Sequence, residues 1–133
     1  MKNDARARGA WQGMNWIRQT TRLAIYLRDG LACAYCKATG SLTLDHVIPH
    51  SLGGSNEPTN LLTACETCNK SRGTRDLREF VYSVAAYKGL DAQEILAFVK
   101  VVAGSDLKPY RAKANALVST YGSAAKVVAA LSA

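Results

Sequence analysis

The sequence predicts an α+β fold in which two short strands lie between helical segments. Residues 41–47 and 60–64 are short runs bounded by turn residues, as is typical of strands. Residues 77–131 instead carry apolar side chains at helical spacing. With 133 residues, the chain has room for one domain with a modest core.

The chain is basic. It has 17 Lys and Arg residues against 10 Asp and Glu residues, which gives a formal net charge of +7. Residues 1–30 are the most basic segment, with six basic and two acidic side chains. This balance attracts polyanions through long-range electrostatics and counterion release. It therefore favours nucleic acid as a partner over an acidic protein or a membrane surface.

The sequence contains no apolar run long enough to span a bilayer, and its start, MKNDARARGAWQG, lacks the apolar stretch of a secretory signal. We therefore expect a cytoplasmic protein that is not secreted and does not enter a membrane. Thiols stay reduced in the cytoplasm. Four cysteines arranged as two Cys-x-x-Cys pairs then favour a metal site over disulfides.

The elements can be placed in order along the chain from their turn and capping residues. They are a helix at 15–28, a strand at 41–47, a glycine-rich loop at 52–58, a strand at 60–64, and then helices whose ends fall near Gly89, Gly104 and Gly122. A basic flexible arm at 1–14 precedes them, because this segment mixes Arg, Ala and Gly without periodicity.

The cysteine spacing predicts a zinc site. Cys33 and Cys36 form one pair, Cys65 and Cys68 form the other, and 28 residues lie between the pairs. Thiolates at this spacing can converge on one tetrahedral Zn²⁺, and a closed four-sulfur site is structural because it leaves no position for a substrate water. The alternatives are a redox-active dithiol or four unrelated buried thiols. Redox motifs usually occur singly beside a βαβ pattern, which this sequence lacks, so zinc is favoured.

The segment between the cysteine pairs holds side chains suited to metal-assisted hydrolysis. Asp45-His46 ends the first strand, Asn60 begins the second, and Asn69 directly follows the last cysteine. Asp and Asn offer oxygen ligands that Mg²⁺ or Mn²⁺ prefers, and a neutral imidazole can take a proton from water near neutral pH. Because successive strand residues point to opposite faces, Asp45 and His46 can serve one pocket only if the strand ends or bulges there.

The segment LTLDHVIPHSLGGSNEPTNLLTACETCNKSRG resembles the zinc-stapled form of the HNH nuclease motif, with its Asp-His pair, Gly-Gly loop, Asn-Leu strand start and Cys-x-x-Cys-Asn. The resemblance covers about residues 31–76, roughly a third of the chain. It implies a ββα-metal core with a structural zinc, one preceding helix and a C-terminal helical extension. The implied nuclease domain spans 15–89, and the extension at 90–133 packs on or next to it.

The resemblance also implies the role of each site residue. His46 is the general base, and Asn60 orients the His46 loop. Asp45 and Asn69 hold one catalytic Mg²⁺ or Mn²⁺, although many members have His at the position of Asn69. Arg72 stands where many members have Lys and would contact the scissile phosphate. The implied reaction is hydrolysis of DNA phosphodiester bonds to 5′-phosphate and 3′-hydroxyl ends.

Further basic residues are predicted to lie along the start of the helix that follows the second cysteine pair. A solvated charged face is the ordinary interpretation, but the neighbouring phosphate site favours contact with the DNA backbone. The residues concerned are Lys70, Arg72, Arg75 and Arg78. His50 could help to bind metal or phosphate, but we expect an ordinary loop histidine.

Nothing in the sequence resembles a recognition helix or an array of zinc fingers, so we expect an endonuclease with low intrinsic sequence specificity. One alternative is a non-catalytic zinc-stapled DNA-binding module. Another is a nuclease subunit of a phage packaging or restriction assembly, with a protein partner or self-association through the C-terminal helices. A compact enzyme of this kind suggests, by analogy, a phage protein located in the host cytoplasm.

Overall fold

The computed structural model describes residues 17–132, so the predicted basic arm at 1–14 lies outside the described residues. One helix is followed by two strands and then by five further helices, which confirms the predicted α+β class. The first helix, α1, spans Gln19–Arg28. Asp29 caps its C-terminal end, and Gly30 then adopts a φ of +84°, a left-handed conformation that glycine tolerates at little cost.

The two strands form one antiparallel hairpin. Strand β1 spans Leu42–His46 and strand β2 spans Leu61–Cys65. Their pairing runs without interruption from Leu42 opposite Cys65 to His46 opposite Leu61. Each predicted strand was therefore correct to within one residue at either end. Strand β1 ends at His46 without a bulge, so of the two arrangements named for the Asp45-His46 pair, a strand end or a bulge, only the strand end is present.

Five helices follow the hairpin. They are α2 at Glu66–Arg72, α3 at Leu77–Lys88, α4 at Ala92–Ala103, α5 at Lys108–Tyr121 and α6 at Ala124–Leu131. The predicted stops at Gly89, Gly104 and Gly122 each lie directly after a helix. Within residues 17–132, no helix is long and apolar enough to cross a membrane.

The hairpin separates two apolar clusters, because side chains alternate between the two faces of a strand. Leu62 and Ala64 face the cysteine-side cluster, which also contains Tyr35, the four cysteines and residues of α3 and α4. Leu44 and Leu61 face the α1-side cluster, which contains residues of α1, α5 and α6. The helices of the predicted extension at 90–133 thus contribute to the packing on both faces.

The end of α1 is fastened to β2 by a buried ion pair. Arg28 binds the carboxylate of Asp29 at 2.6 Å and donates to the carbonyls of Pro58 at 3.0 Å and Leu61 at 2.6 Å. Asp29 Oδ2 in turn accepts a hydrogen bond from the Thr63 backbone N–H at 2.8 Å. These contacts fix the start of β2, which lies opposite the end of β1.

Candidate active site

The four cysteines come together at the end of the hairpin where Leu42 pairs with Cys65. Their sulfur atoms all lie within 4.8 Å of one another, and Cys36 Sγ is 3.7 Å from Cys65 Sγ. Sulfurs around a tetrahedral zinc, with Zn–S bonds of about 2.3 Å, lie about 3.8 Å apart. The cluster therefore fits a structural zinc ion. His46 is four residues further along β1, about 13 Å away, so this metal site is separate from the predicted catalytic one.

Two of the four thiols are unfavourable as thiolates when no metal is bound. Burial raises the pKa of Cys33 and of Cys68 above the ordinary value of a thiol. A divalent cation binds the deprotonated sulfur and offsets this cost. Zinc binding should therefore release protons and weaken as the pH falls.

Asp45 is buried on the cysteine-side face of the hairpin. Its Oδ2 accepts hydrogen bonds from the Tyr35 hydroxyl and from Arg72 Nη1, the latter at 2.7 Å. Burial and the negative charge of Asp45 raise the pKa of Tyr35, so the phenol keeps its proton and acts as a donor. Among residues 17–132, no group donates a hydrogen bond to Asp45 Oδ1. The hydrogen-bond donors among the described residues thus contact one of the two carboxylate oxygens, Oδ2.

Arg72 lies inside the protein, with only 1% of its surface exposed. Besides its bond to Asp45, Nη1 donates to the His46 carbonyl at 2.7 Å, and Nη2 donates to the Val47 carbonyl at 2.7 Å. Burial alone would lower the pKa of Arg72, but the neighbouring Asp45 and Tyr35 raise it above its ordinary value. The charged guanidinium therefore ties the end of β1 to α2.

This placement differs from the one expected of a side chain that reaches out to the scissile phosphate. Arg72 follows Cys68 by four residues on α2, and both side chains are buried. Residues four apart lie on the same face of a helix. The helix face that delivers Cys68 to the cysteine cluster thus also directs Arg72 inward.

Replacing Arg72 with alanine should cost about 3–5 kcal/mol of folding free energy, because the substitution leaves the Asp45 carboxylate buried without its counter-charge. Thermal unfolding at saturating zinc measures the loss. Arg75→Ala is the matched control, since this side chain is exposed and, among residues 17–132, donates a hydrogen bond only to the Ser71 carbonyl and packs over Phe80. A loss no larger than that of the control would show that the ion pair does not stabilise the fold.

Two side chains that carry oxygen atoms, Asp45 and Asn69, contact or belong to the end of β1. Asn69 Nδ2 donates to the Leu44 carbonyl at 3.2 Å, which holds this side chain against β1 beside Asp45. Within the described part of the chain, Asn69 Oδ1 accepts no hydrogen bond. Asp45 Oδ1 and Asn69 Oδ1 are hard oxygen ligands of the kind that Mg²⁺ and Mn²⁺ prefer. The positive charge of Arg72 beside Asp45 opposes a cation there and would weaken its binding.

His46 is half-buried at the end of β1. It pairs with Leu61, whereas Asp45 pairs with Leu62, so the two side chains leave the strand on opposite faces. The ring atom Nε2 lies 2.8 Å from Asn56 Oδ1. The exposed ring of His50 lies 5.6 Å from that of His46, measured between centroids. The loop after β1 therefore closes around the His46 ring.

Asn60 joins the two ends of that loop. Its Oδ1 accepts from the Ile48 N–H at 2.8 Å, and its Nδ2 donates to the carbonyls of Ile48 at 3.1 Å and Ser55 at 2.8 Å. All three hydrogen bonds go to backbone atoms. Asn60 thus shapes the loop that surrounds His46 through hydrogen bonds to the backbone.

Gly54 lets the loop close, because a Cβ at this position would lie 1.7 Å from the Ile48 carbonyl oxygen. We expect Gly54→Ala to destabilise the protein by about 1–3 kcal/mol, as overpacking of a rigid backbone does, and to reduce any activity that depends on His46. Gly40→Ala is the control, since its added Cβ would meet nothing within 4 Å. Equal unfolding temperatures for the two variants would contradict the close packing at Gly54.

The remaining basic residues of the predicted DNA contact are exposed: Lys70, Arg75 and Arg78. The sequence suggested that they follow the start of one helix. Instead, α2 ends at Arg72, Gly73 adopts a φ of +56°, and Asp76 caps α3 by accepting from the Glu79 N–H. The three side chains therefore come from two helices and the turn between them.

Two residues near the site were not singled out from the sequence. Tyr35 lies inside the first cysteine pair and contacts Asp45, while Asn56 follows the glycine-rich turn and contacts His46. The burial of Arg72 had a detectable signal, namely its four-residue spacing from Cys68. Asn56 had none, because a polar residue in an exposed loop is ordinary.

Comparison with known proteins agrees with this geometry. The sequence model of the family described as HNH endonuclease matches residues 33–83, the segment that contains the cysteine cluster, the hairpin, α2 and the start of α3. Neither a search of curated proteins nor a search of solved structures found a match. Over residues 33–83, the chain is therefore similar to the HNH endonuclease family.

Proposed function

We propose that the chain is a divalent-metal-dependent endonuclease that hydrolyses DNA phosphodiester bonds. The observation that carries this proposal is the arrangement at the end of β1. A histidine held by a shaped loop lies next in sequence to a carboxylate, and Asn69 is bonded to the same strand. An HNH-family domain matches this segment.

In this proposal, His46 is the general base that takes a proton from the attacking water. Asn60 keeps the loop around the ring closed, and Arg72 holds the strand end from which the ring projects. Asp45 and Asn69 would hold one Mg²⁺ or Mn²⁺, which when bound would stabilise the charge that develops on the phosphate and on the departing 3′-oxygen. The products would carry 5′-phosphate and 3′-hydroxyl ends.

Basic side chains would bind the substrate through its backbone. The net charge of +7 favours a polyanion as the partner. The exposed basic side chains are Lys70 on α2, Arg75 in the turn after it and Arg78 on α3. Contacts to phosphates position a duplex but carry no sequence information. We therefore propose low intrinsic sequence specificity.

The proposal is tested with end-labelled duplex DNA and RNA oligonucleotides, incubated with the zinc-loaded protein in Mg²⁺, Mn²⁺ or neither. We expect cleavage of DNA only when one of these ions is added, and the new 5′ ends should be substrates for a phosphatase. Cleavage that persists at full rate without added ions would contradict the catalytic role of Asp45 and Asn69. Products with 3′-phosphate ends would contradict the proposed chemistry.

A non-catalytic DNA-binding module is the second candidate, and one observation favours it. The Asp45 carboxylate is already neutralised by Arg72 at 2.7 Å, as in a purely structural ion pair. Such a module would retard DNA in a gel and leave it intact in every metal. Binding of Mn²⁺ that disappears in Asp45→Asn would instead support the nuclease.

A further inference from the structure

We propose that Asn56 is a positioning residue that sets the tautomer of His46, an inference that rests on the nuclease function proposed above. The carrying observation is the distance of 2.8 Å between His46 Nε2 and Asn56 Oδ1. An amide oxygen can only accept a hydrogen bond. Nε2 must therefore carry the proton, and the lone pair of the neutral ring lies on Nδ1.

This assignment identifies the basic atom. A general base needs its lone pair directed at the water that it deprotonates, and the partner of the other ring nitrogen decides which nitrogen carries that lone pair. With the proton kept on Nε2, His46 would accept the proton of water at Nδ1. Asn56 would fix both the tautomer and the rotation of the ring about its Cβ–Cγ bond.

The loop is built so that Asn56 reaches the ring. Asn60 Nδ2 holds the Ser55 carbonyl at 2.8 Å, directly before Asn56, and the lack of a side chain at Gly54 allows the same stretch to approach Ile48. Asn60 bonds only backbone atoms, whereas Asn56 contacts the imidazole itself. The two asparagines thus have different tasks: Asn60 shapes the loop, and Asn56 orients the ring.

The test uses two substitutions of Asn56 that differ in one property. Asn56→Ala removes the acceptor, whereas Asn56→Asp keeps an acceptor oxygen at the same reach. Ser55→Ala is the control for general loosening of the loop, because it removes the hydrogen bond from the Glu57 N–H to the Ser55 hydroxyl and leaves the ring contact in place.

The first readout is the tautomer, measured by long-range ¹H–¹⁵N correlation spectra of the zinc-loaded protein without added Mg²⁺ or Mn²⁺, at a pH where the rings are neutral. The chain has only two histidines, so His50→Gln assigns the signals. We expect His46 to carry its proton on Nε2 in the wild type, in Asn56→Asp and in Ser55→Ala. Asn56→Ala should show a mixture of tautomers. A wild-type ring protonated on Nδ1, or an unchanged spectrum in Asn56→Ala, would overturn the proposal.

The second readout is DNA cleavage. Proton transfer to a positioned base accelerates a reaction by about 10²- to 10⁴-fold. Because Asn56→Ala loses the orientation of the base but keeps the base itself, we expect its kcat to fall by less, about 10- to 100-fold. KM should stay unchanged, Asn56→Asp should recover most of the loss, and Ser55→Ala should match the wild type. A wild-type kcat in Asn56→Ala would overturn the positioning role and leave the nuclease proposal intact. If the wild type does not cleave DNA, the nuclease proposal fails, while the spectra still decide whether Asn56 sets the tautomer.

Discussion

Chelation of zinc will abolish the cooperative fold of this protein. Cys33, Cys65 and Cys68 are buried in the cysteine-side cluster, where they support the end of the hairpin and the packing of α3 and α4. A structural zinc supplies about 10–16 kcal/mol of apparent binding free energy. The free energy of unfolding of a whole domain is about 5–15 kcal/mol, so the zinc binding energy is of the same size or larger. We expect a zinc-selective chelator to remove the helical circular dichroism signal, and added zinc to restore it.

Cys36→Ser separates the loss of metal from the loss of packing. Cys36 is only half-buried, so exchanging its sulfur for oxygen removes little apolar contact. The variant should still lose the stoichiometric zinc and the cooperative thermal transition of the wild type. A protein that binds no zinc and yet unfolds cooperatively at the wild-type temperature would contradict a structural role for the four cysteines.

His46→Ala will abolish DNA cleavage and leave the fold and the affinity for DNA largely intact. Removing a positioned general base costs about 10²- to 10⁴-fold in rate. The side chain is half-buried and belongs to neither apolar cluster, so its removal disturbs little of their packing. Initial rates at saturating DNA, a binding isotherm without divalent ions and an unfolding curve together measure the three properties.

His50→Ala is the matched control, since His50 is the chain's other histidine and its exposed ring lies 5.6 Å from that of His46. We expect this variant to keep most of the cleavage rate. Equal damage from both substitutions would show that the two imidazoles act together, and wild-type turnover in His46→Ala would remove His46 from the reaction.

The general architecture could be predicted from the sequence because local signals determine it. Two Cys-x-x-Cys pairs bracket a strand pair, and the glycines at 89, 104 and 122 each follow a helix. These signals act over a few residues, so tertiary contacts do not have to be known. The break at Gly73 was missed because a single glycine between basic residues does not distinguish a continuous helix from two short ones.

The internal contacts of the site could not be predicted in the same way. The pairing of Arg72 with Asp45 joins residues 27 positions apart, and only the folded chain shows that the guanidinium turns inward. The contact between Asn56 and His46 depends on how tightly the loop closes over Gly54. Residue types and spacings suggested which side chains matter, whereas their orientations follow from the packing of α2 and of this loop.

A plasmid cleavage assay most directly tests whether this domain is a nuclease. Supercoiled plasmid is incubated with the zinc-loaded wild-type protein and, in parallel, with the His46→Ala variant. We predict nicked and then linear DNA in Mg²⁺ or Mn²⁺, none of either in EDTA over a short incubation, and none in any metal with His46→Ala. Plasmid that shifts in the gel but stays supercoiled with the wild type in every metal would contradict the nuclease function and favour the DNA-binding module.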